Sequence, residues 1–375
     1  MPPRPWPAAG SRGAVTTVPA ATPVAAAPVS AALMAAVLVV AGLALAGCGG
    51  LPNPLPAGRH YTAPATGASA AATARPVSPL TGLPAASASA ARRPAIAVPL
   101  AGAHPTGLAA ADVIFEDITT PQVRYLALYQ SRPAVSIGPV TSTRPEDSLA
   151  TSVLHPLMAY AGGRTGFLAV LRQATVTDLG YARHHRLYHG TPGRRMTSTA
   201  ALWRAQPAAA PTPLFLYQGS SNSPGGPGPA GAVRLSAVRV LVPHRPAQRW
   251  VYDAGSHRWT QVSGGPRVSV ANLVIQTVRY KTVYLDRRSG ITARSARPVG
   301  DGRATILSGV PGGAPVAGGD GDGQEVRVDW SKPNTTDITN YFSSSGVLAE
   351  LTPGPTWVLL APAGTRVVRS AGTAR

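Results

Sequence analysis

The charged side chains of Asp112-Val-Ile-Phe-Glu-Asp117 and of Val123-Arg-Tyr-Leu-Ala-Leu-Tyr129 are the first candidates for chemistry in this chain. If the first segment is a strand, Asp112 and Glu116 share a face, as two carboxyl groups working as acid and base would. At ~3.3 Å per residue their backbones stand ~13 Å apart, beyond the ~5–9.5 Å that glycoside hydrolysis uses. Asp112 and Glu116 therefore stand as catalytic candidates beside a plainer expectation, a cross-strand pair of Glu116 with Arg124 in a hairpin.

A second constellation is Gly138-Pro-Val-Thr-Ser-Thr-Arg-Pro-Glu146. Hydroxyls of Thr141, Ser142 and Thr143, the Arg144 guanidinium and the free N–H groups of a helix starting there suit a phosphate or carboxylate. Arg124, Tyr160, Gly162 and Gly163 are grouped with this turn as ligand-binding candidates. The competing reading is capping alone, with Thr143 and Glu146 as a capping box and Pro145 in the first turn. His184, His185 and His189 lie among Arg183 and Arg186, which opposes a cation, so they read as a solvated loop. Asp320, Asp322 and Glu325 read as surface turn residues.

Several searches fail. There is no GxSxG elbow, SxxK, HExxH or Gly-Lys phosphate loop. No metal set or cofactor motif is expected. Cys48 is the one cysteine, which excludes cysteine-based wall hydrolases and L,D-transpeptidases if that thiol is consumed elsewhere.

Its surroundings say how it is consumed. Val29 to Gly47 is an uninterrupted apolar or small-residue run, and it ends in Leu45-Ala46-Gly47-Cys48, a strong lipobox match. The expectation is a signal peptide over 1–47, cleavage before Cys48, and diacylglycerol and palmitate-type acylation of that thiol. Two or three acyl chains hold a protein stably on a membrane, so the predicted place is the extracytoplasmic face of the cell membrane.

The elements that must position these groups follow from pattern. Residues 48–76 read as a flexible Ala/Pro/Ser tether, 77–217 as an N-terminal α+β domain, and 218–232 as a Gly/Pro/Ser linker. Residues 233–362 read as a β-rich C-terminal domain and 363–375 as a tail. Strands are expected at 95–98, 112–117, 123–129 and 135–137, then a helix from Arg144 through Leu157 that Pro156 kinks or ends. Another helix should start near Phe167, capped by Thr165. The second part offers strands at 233–242, 250–252, 268–284, 304–307, 326–330 and 357–360. Trp250, Trp259, Trp330 and Trp357 sit in or beside them and read as core. The fold class is α+β, a large mixed β-sheet with flanking helices in the N-terminal part and a β-rich C-terminal part.

PLTGLP (79–84), ADVIFED (111–117), VRYLALYQS (123–131), GPVTSTRP (138–145) and YAGG (160–163) together resemble the YerB-like bacterial lipoproteins. So do VSVANLVIQTV (268–278), VDWSKP (328–333) and LTPGPTWVLL (351–360). The resemblance spans about three quarters of the chain and implies a two-part domain, lipoprotein topology and no established reaction. The family pattern carries a basic residue where Thr141 stands.

Composition bears on partners. Lys plus Arg number 34 against 15 Asp plus Glu, and only Lys281 and Lys332 are lysines. The arginines are scattered, so nucleic acid is not expected. For an exported protein the matching partners are anionic lipid headgroups, anionic wall polymers or a wall-associated protein. Three functions stay open: a noncatalytic envelope binder, an envelope hydrolase with a carboxylate/Arg site, and a small-ligand receptor with its ligand between the two parts.

Overall fold

The computed structural model describes residues 75–118, 123–219, 233–286, 290–309 and 323–370. The leader, Cys48, all but the last two residues of the tether, Asp320, Asp322 and most of the 218–232 linker lie outside them. Among the described residues no helix is long and apolar enough to cross a membrane.

The first part contains α1 (Ala88–Ala91), β1 (Ile96–Ala101), β2 (Val113–Ile118), β3 (Val123–Tyr129), α2 (Pro145–Thr151), β4 (Leu157–Met158), α3 (Thr165–Gln173), β5 (Thr177–Asp178) and α4 (Thr199–Ala205). The second contains β6 (Val233–Leu235), β7 (Ala237–Leu241), β8 (Gln248–Asp253), β9 (Arg258–Ser263), β10 (Ser269–Val270), β11 (Asn272–Thr277) and β12 (Arg279–Asp286). It continues with β13 (Ile291–Arg297), β14 (Gly300–Ser308), β15 (Gly323–Lys332), β16 (Asn340–Phe342), β17 (Thr356–Ala361) and β18 (Arg366–Ser370). The fold is α+β, with one large mixed sheet and flanking helices.

That sheet runs β16-β15-β14-β11-β17-β2-β3-β1-β4-β5, with β6 beside β15. β17 pairs in parallel with β11 on one side and β2 on the other. Strands from before and after the 218–232 segment therefore share one hydrogen-bonded ladder. Both faces of its centre are covered, which is why β2 and β17 are buried at every position. One face packs under α2, α3 and the 214–217 segment, with Val113, Phe115, Leu126 and Val358 in its core. The other packs under a second sheet, β10-β9-β8-β7-β18, with Ile114, Tyr125, Trp250 and Trp357 in its core.

The expected hairpin forms as β2 and β3, and the four tryptophans are at most 2% exposed. Four local expectations change. Around Val135 to Ile137 there is no strand: Val135 is 93% exposed and Ile137 makes one bridge, to Thr197. The helix after Arg144 stops at Thr151, followed by one 3-10 turn, because Ser148, Thr151 and Ser152 bond back to backbone carbonyls and the residue before Pro156 resists the helical region. Leu157 is thereby freed to join the sheet in β4. Thr165 is the first helical residue of α3 rather than its cap, which is Arg164. Glu325 lies in β15, 3% exposed, bonded at 2.9 Å through both oxygens to Arg369 of β18, so residues 366–370 of the expected tail form a strand.

Candidate functional site

Adjacent residues of β2 send their carboxyl groups to opposite faces of the sheet, as the strand period demands. Asp117 lies opposite Arg124 and Glu116 opposite Tyr125. The expected Glu116–Arg124 pair is therefore not made. Arg124 instead grips Asp147 of α2 bidentately, at 2.6 Å and 2.5 Å, and donates to the Ser142 carbonyl at 2.8 Å. Asp147 also accepts the Arg144 N–H at 2.9 Å and the Thr143 hydroxyl at 3.2 Å. The capping carboxylate is thus Asp147, three residues after Arg144, and not Glu146. Arg124, Thr143 and the Arg144 amide converge on the chain's own anion, Asp147.

Glu146 accepts from Ser295 of β13 at 2.5 Å and lies 4.0 Å from the Arg144 guanidinium. Its neighbour Asp117 is 3% exposed, and burial, then the Glu146 charge, hold the Asp117 carboxyl well above the usual range. Asp117 Oδ2 and Glu146 Oε1 are both buried without a hydrogen-bond donor. The Tyr280 hydroxyl of β12 sits 2.6 Å from the Leu360 carbonyl and 3.2 Å from Asp117. Sequence reasoning missed Asp147, Tyr280 and Ser295. For Asp147 the signal was its place three residues after Arg144; for the other two, more than 130 residues downstream, no local signal exists.

The remaining candidates surround this network or lie apart from it. Gly162 accepts the Thr143 N–H at 3.1 Å and Thr141 accepts the Ala161 N–H at 2.9 Å, so β4's continuation is stitched to the turn. Gly163 packs where a side chain would stand 3.1 Å from Thr143. Tyr160 bonds Asp178, and burial raises its hydroxyl pKa. Asp112 is far from all of these: it accepts the Gln130 and Ser131 N–H groups at 2.6 and 2.8 Å and the Ser131 hydroxyl, closing the end of β3.

On the opposite face, Glu116 forms the floor of a cleft of about 620 Å³. Its oxygens accept from Gln248 at 2.7 Å and from the Trp357 indole at 3.0 Å. Burial, partly offset by these donors and by Arg245, pushes its pKa up to about 7. Ile118, Val123 and Tyr125 wall the cleft from the first part, and Val242, Arg245 and Pro246 from the second. A carboxyl that changes charge near neutrality in a concave, mostly apolar site is the usual mark of a binding or catalytic position.

A third feature is electrostatic. Between Arg164 and Arg195 the chain carries six arginines, three histidines and one acid, Asp178. Arg172 and Arg183 both act on the Tyr160 hydroxyl, so α3 and the loop after β5 meet there. Arg183 spends Asp178 in a pair at 3.6 Å while 69% exposed. Arg195 stacks on Tyr181, 3.6 Å from the ring centroid, and Tyr181 packs edge-on against Tyr188. Arg186, His185, His189 and Arg194 are exposed beside these stacked rings.

No curated protein matches the chain. The crystal structure of YerB protein from Bacillus subtilis is similar over 78% of this chain and 99% of that one, with a TM-score of 0.60 and 17% identity, which speaks for the fold. Residues 80–221 match the family model described as the protein of unknown function (DUF3048) N-terminal domain, and residues 238–358 match its C-terminal domain. With both models matched in order and their strands interleaved in one sheet, the chain belongs to the DUF3048 family, a YerB-like two-part domain of unknown function.

Proposed function

We propose that this protein is a noncatalytic envelope lipoprotein, tethered through acylated Cys48, that binds an anionic cell-wall polymer on the basic face formed by α3 and residues 181–195. The observation that carries the reading is the charge of that face: a single carboxylate, Asp178, already paired, among six arginines and three histidines. A polymer with one negative group per repeat gains from such a surface through release of its condensed counterions, without a shaped pocket. The noncatalytic part rests on engagement elsewhere. Arg124 is closed on Asp147 and Asp112 on the β3 end, and Glu116, held by Gln248 and Trp357, has no second carboxyl among the described residues lining its cleft.

The test is retention of detergent-purified full-length protein on isolated cell walls, intact or stripped of anionic polymers, across a salt series. Expected is binding to intact walls that falls with salt and with stripping. Combining Arg183→Gln, Arg186→Gln and Arg194→Gln should take about one unit per lost contact off the slope of log affinity against log salt. Retention indifferent to salt, or unchanged in the triple variant, overturns the reading. Capture of one envelope protein equally by both forms would replace the polymer with that protein.

A further inference from the structure

We infer that the cleft above Glu116 binds a small zwitterion with an apolar side chain, of the class of a free amino acid or dipeptide. This site is separate from the basic face and does not depend on it. Four features of the cleft point to that ligand.

The first is the floor. A carboxylate offers about four acceptor positions, and Gln248 and Trp357 take two of them, one on each oxygen. Those two donors fix the carboxyl rigidly at the bottom of a space that the Glu116 side chain lines. An ammonium group, with three donors, fits the positions left.

The second is the opposite charge on the wall. Arg245, in the β7–β8 turn, is close enough to act on both Glu116 and the Tyr125 hydroxyl. A cleft with a carboxyl at its floor and a guanidinium on its wall discriminates against purely cationic and purely anionic ligands alike and accepts a molecule carrying both charges. Much of the remaining lining is apolar, from Ile118, Val123, Val242 and Pro246, which suits an aliphatic or aromatic side chain.

The third is a wall of bare backbone in front of a buried amide. Gln261 of β9 is 1% exposed, and both its amide nitrogen and its amide oxygen are without a hydrogen-bond partner. It lies directly behind Gly265, a cleft residue: a side chain at 265 would begin 2.4 Å from the Gln261 nitrogen. Gly264 has φ +80 and would place a side chain 2.4 Å from the Ala247 carbonyl, so that position stays bare, and a side chain at 265 would have to displace the Gln261 amide. The bare Gly264–Gly265 backbone leaves this wall of the cleft open to the close approach of a peptide unit.

The fourth is size. About 620 Å³ lies in the range of small-molecule sites and is too small for a long polymer to be enclosed. The other titratable groups facing the carboxyl are few: His104 at the rim, Tyr125 and Arg245. An ammonium needs Glu116 ionised, so affinity should rise with pH through about 7, the value to which burial pushes this carboxyl.

The experiment is titration calorimetry of the full-length protein in detergent with leucine, alanyl-leucine and leucyl-alanine in both chiral forms. Each peptide is repeated with its amine acetylated or its carboxylate amidated. Expected is binding of at least one free zwitterion, with each blocking group lowering affinity about tenfold or more, the usual weight of one charged hydrogen bond. Glu116→Gln should weaken the free ligand and leave the acetylated one unchanged, while Arg245→Gln, on a half-buried turn, should do the same for the amidated one. Failure of every zwitterion to bind overturns the inference. So does equal binding of blocked and free ligands, or indifference of the free ligand to both substitutions when circular dichroism shows both variants folded. Since neither residue lies on the basic face, wall retention should survive both substitutions.

Discussion

Replacing Glu116 by glutamine should remove the pH dependence of stability that this residue imposes. In the unfolded chain its carboxyl titrates near 4.5; in the folded chain it titrates near 7. Between those values the folded state holds a proton that the unfolded state has lost, so stability falls as pH rises through the window, and is lowest above 7. At about 1.4 kcal/mol per pH unit, the window from 4.5 to about 7 costs the wild type about 3 kcal/mol, on a side chain only 1% exposed and so little screened. Glutamine removes that dependence at a local cost. The Trp357 indole can only donate, so the new amide must turn its nitrogen toward Gln248, which has to flip and give up its 3.3 Å bond from Trp250. One such bond is worth about 1 kcal/mol. Urea denaturation at half-unit pH steps should therefore find the variant about 1 kcal/mol less stable at pH 4.5 and about 2 kcal/mol more stable at pH 8, the curves crossing between about pH 5 and 6. Taking the difference between the two proteins cancels the contribution of Asp117, which has the same sign. A constant difference across the range, or one that grows toward acid, would refute the assignment of a buried, proton-holding carboxyl at this position.

Two further outcomes follow from other parts of the chain. Arg124→Met should destabilise by about 3–5 kcal/mol, because it leaves the Asp147 carboxylate buried at 1% exposure without its countercharge, whereas Arg124→Met with Asp147→Leu should recover most of the loss; urea midpoints of the three proteins decide this, and equal loss in the single and double variants contradicts it. Cys48→Ser should abolish lipid labelling and leave the protein unprocessed or in the medium; a serine variant still cleaved and membrane-bound would exclude the thiol as the anchor.

The hairpin, the tryptophan core and most strands of the second part could be read in advance because each is local: an apolar run, a turn signal, a β-branched segment. The roles of the charged residues could not, and the reason is the register. β2 is buried on both faces, so Glu116 and Asp117 carry no apolar-polar alternation to say which face is which. One residue of slip sends Arg124 to the wrong carboxylate, and nothing in the segment Asp112–Tyr129 excludes that slip. At the turn 138–146, the Arg124 guanidinium, the Thr143 hydroxyl and the Arg144 amide converge on Asp147. That partner was unreadable because Asp147 competes with Glu146 for the same capping role, and only the geometry of the bidentate arginine chooses between them.

The parallel insertion of β17 between β2 and β11 has no local signal either, yet it determines what the two family halves are to each other. Trp357 is a residue of β17, and its indole is one of the two donors that hold Glu116 at the cleft floor; the other, Gln248, comes from the second sheet. The acid thus belongs to the N-terminal half and both groups that orient it belong to the C-terminal half. A chain ending before residue 233 would present β2 as an unpaired edge where β17 now lies, and would leave a buried carboxyl with neither donor. Glu116 is therefore a property of the joined sheet, and a cleft with a carboxyl at its floor exists only when both halves are present in one chain.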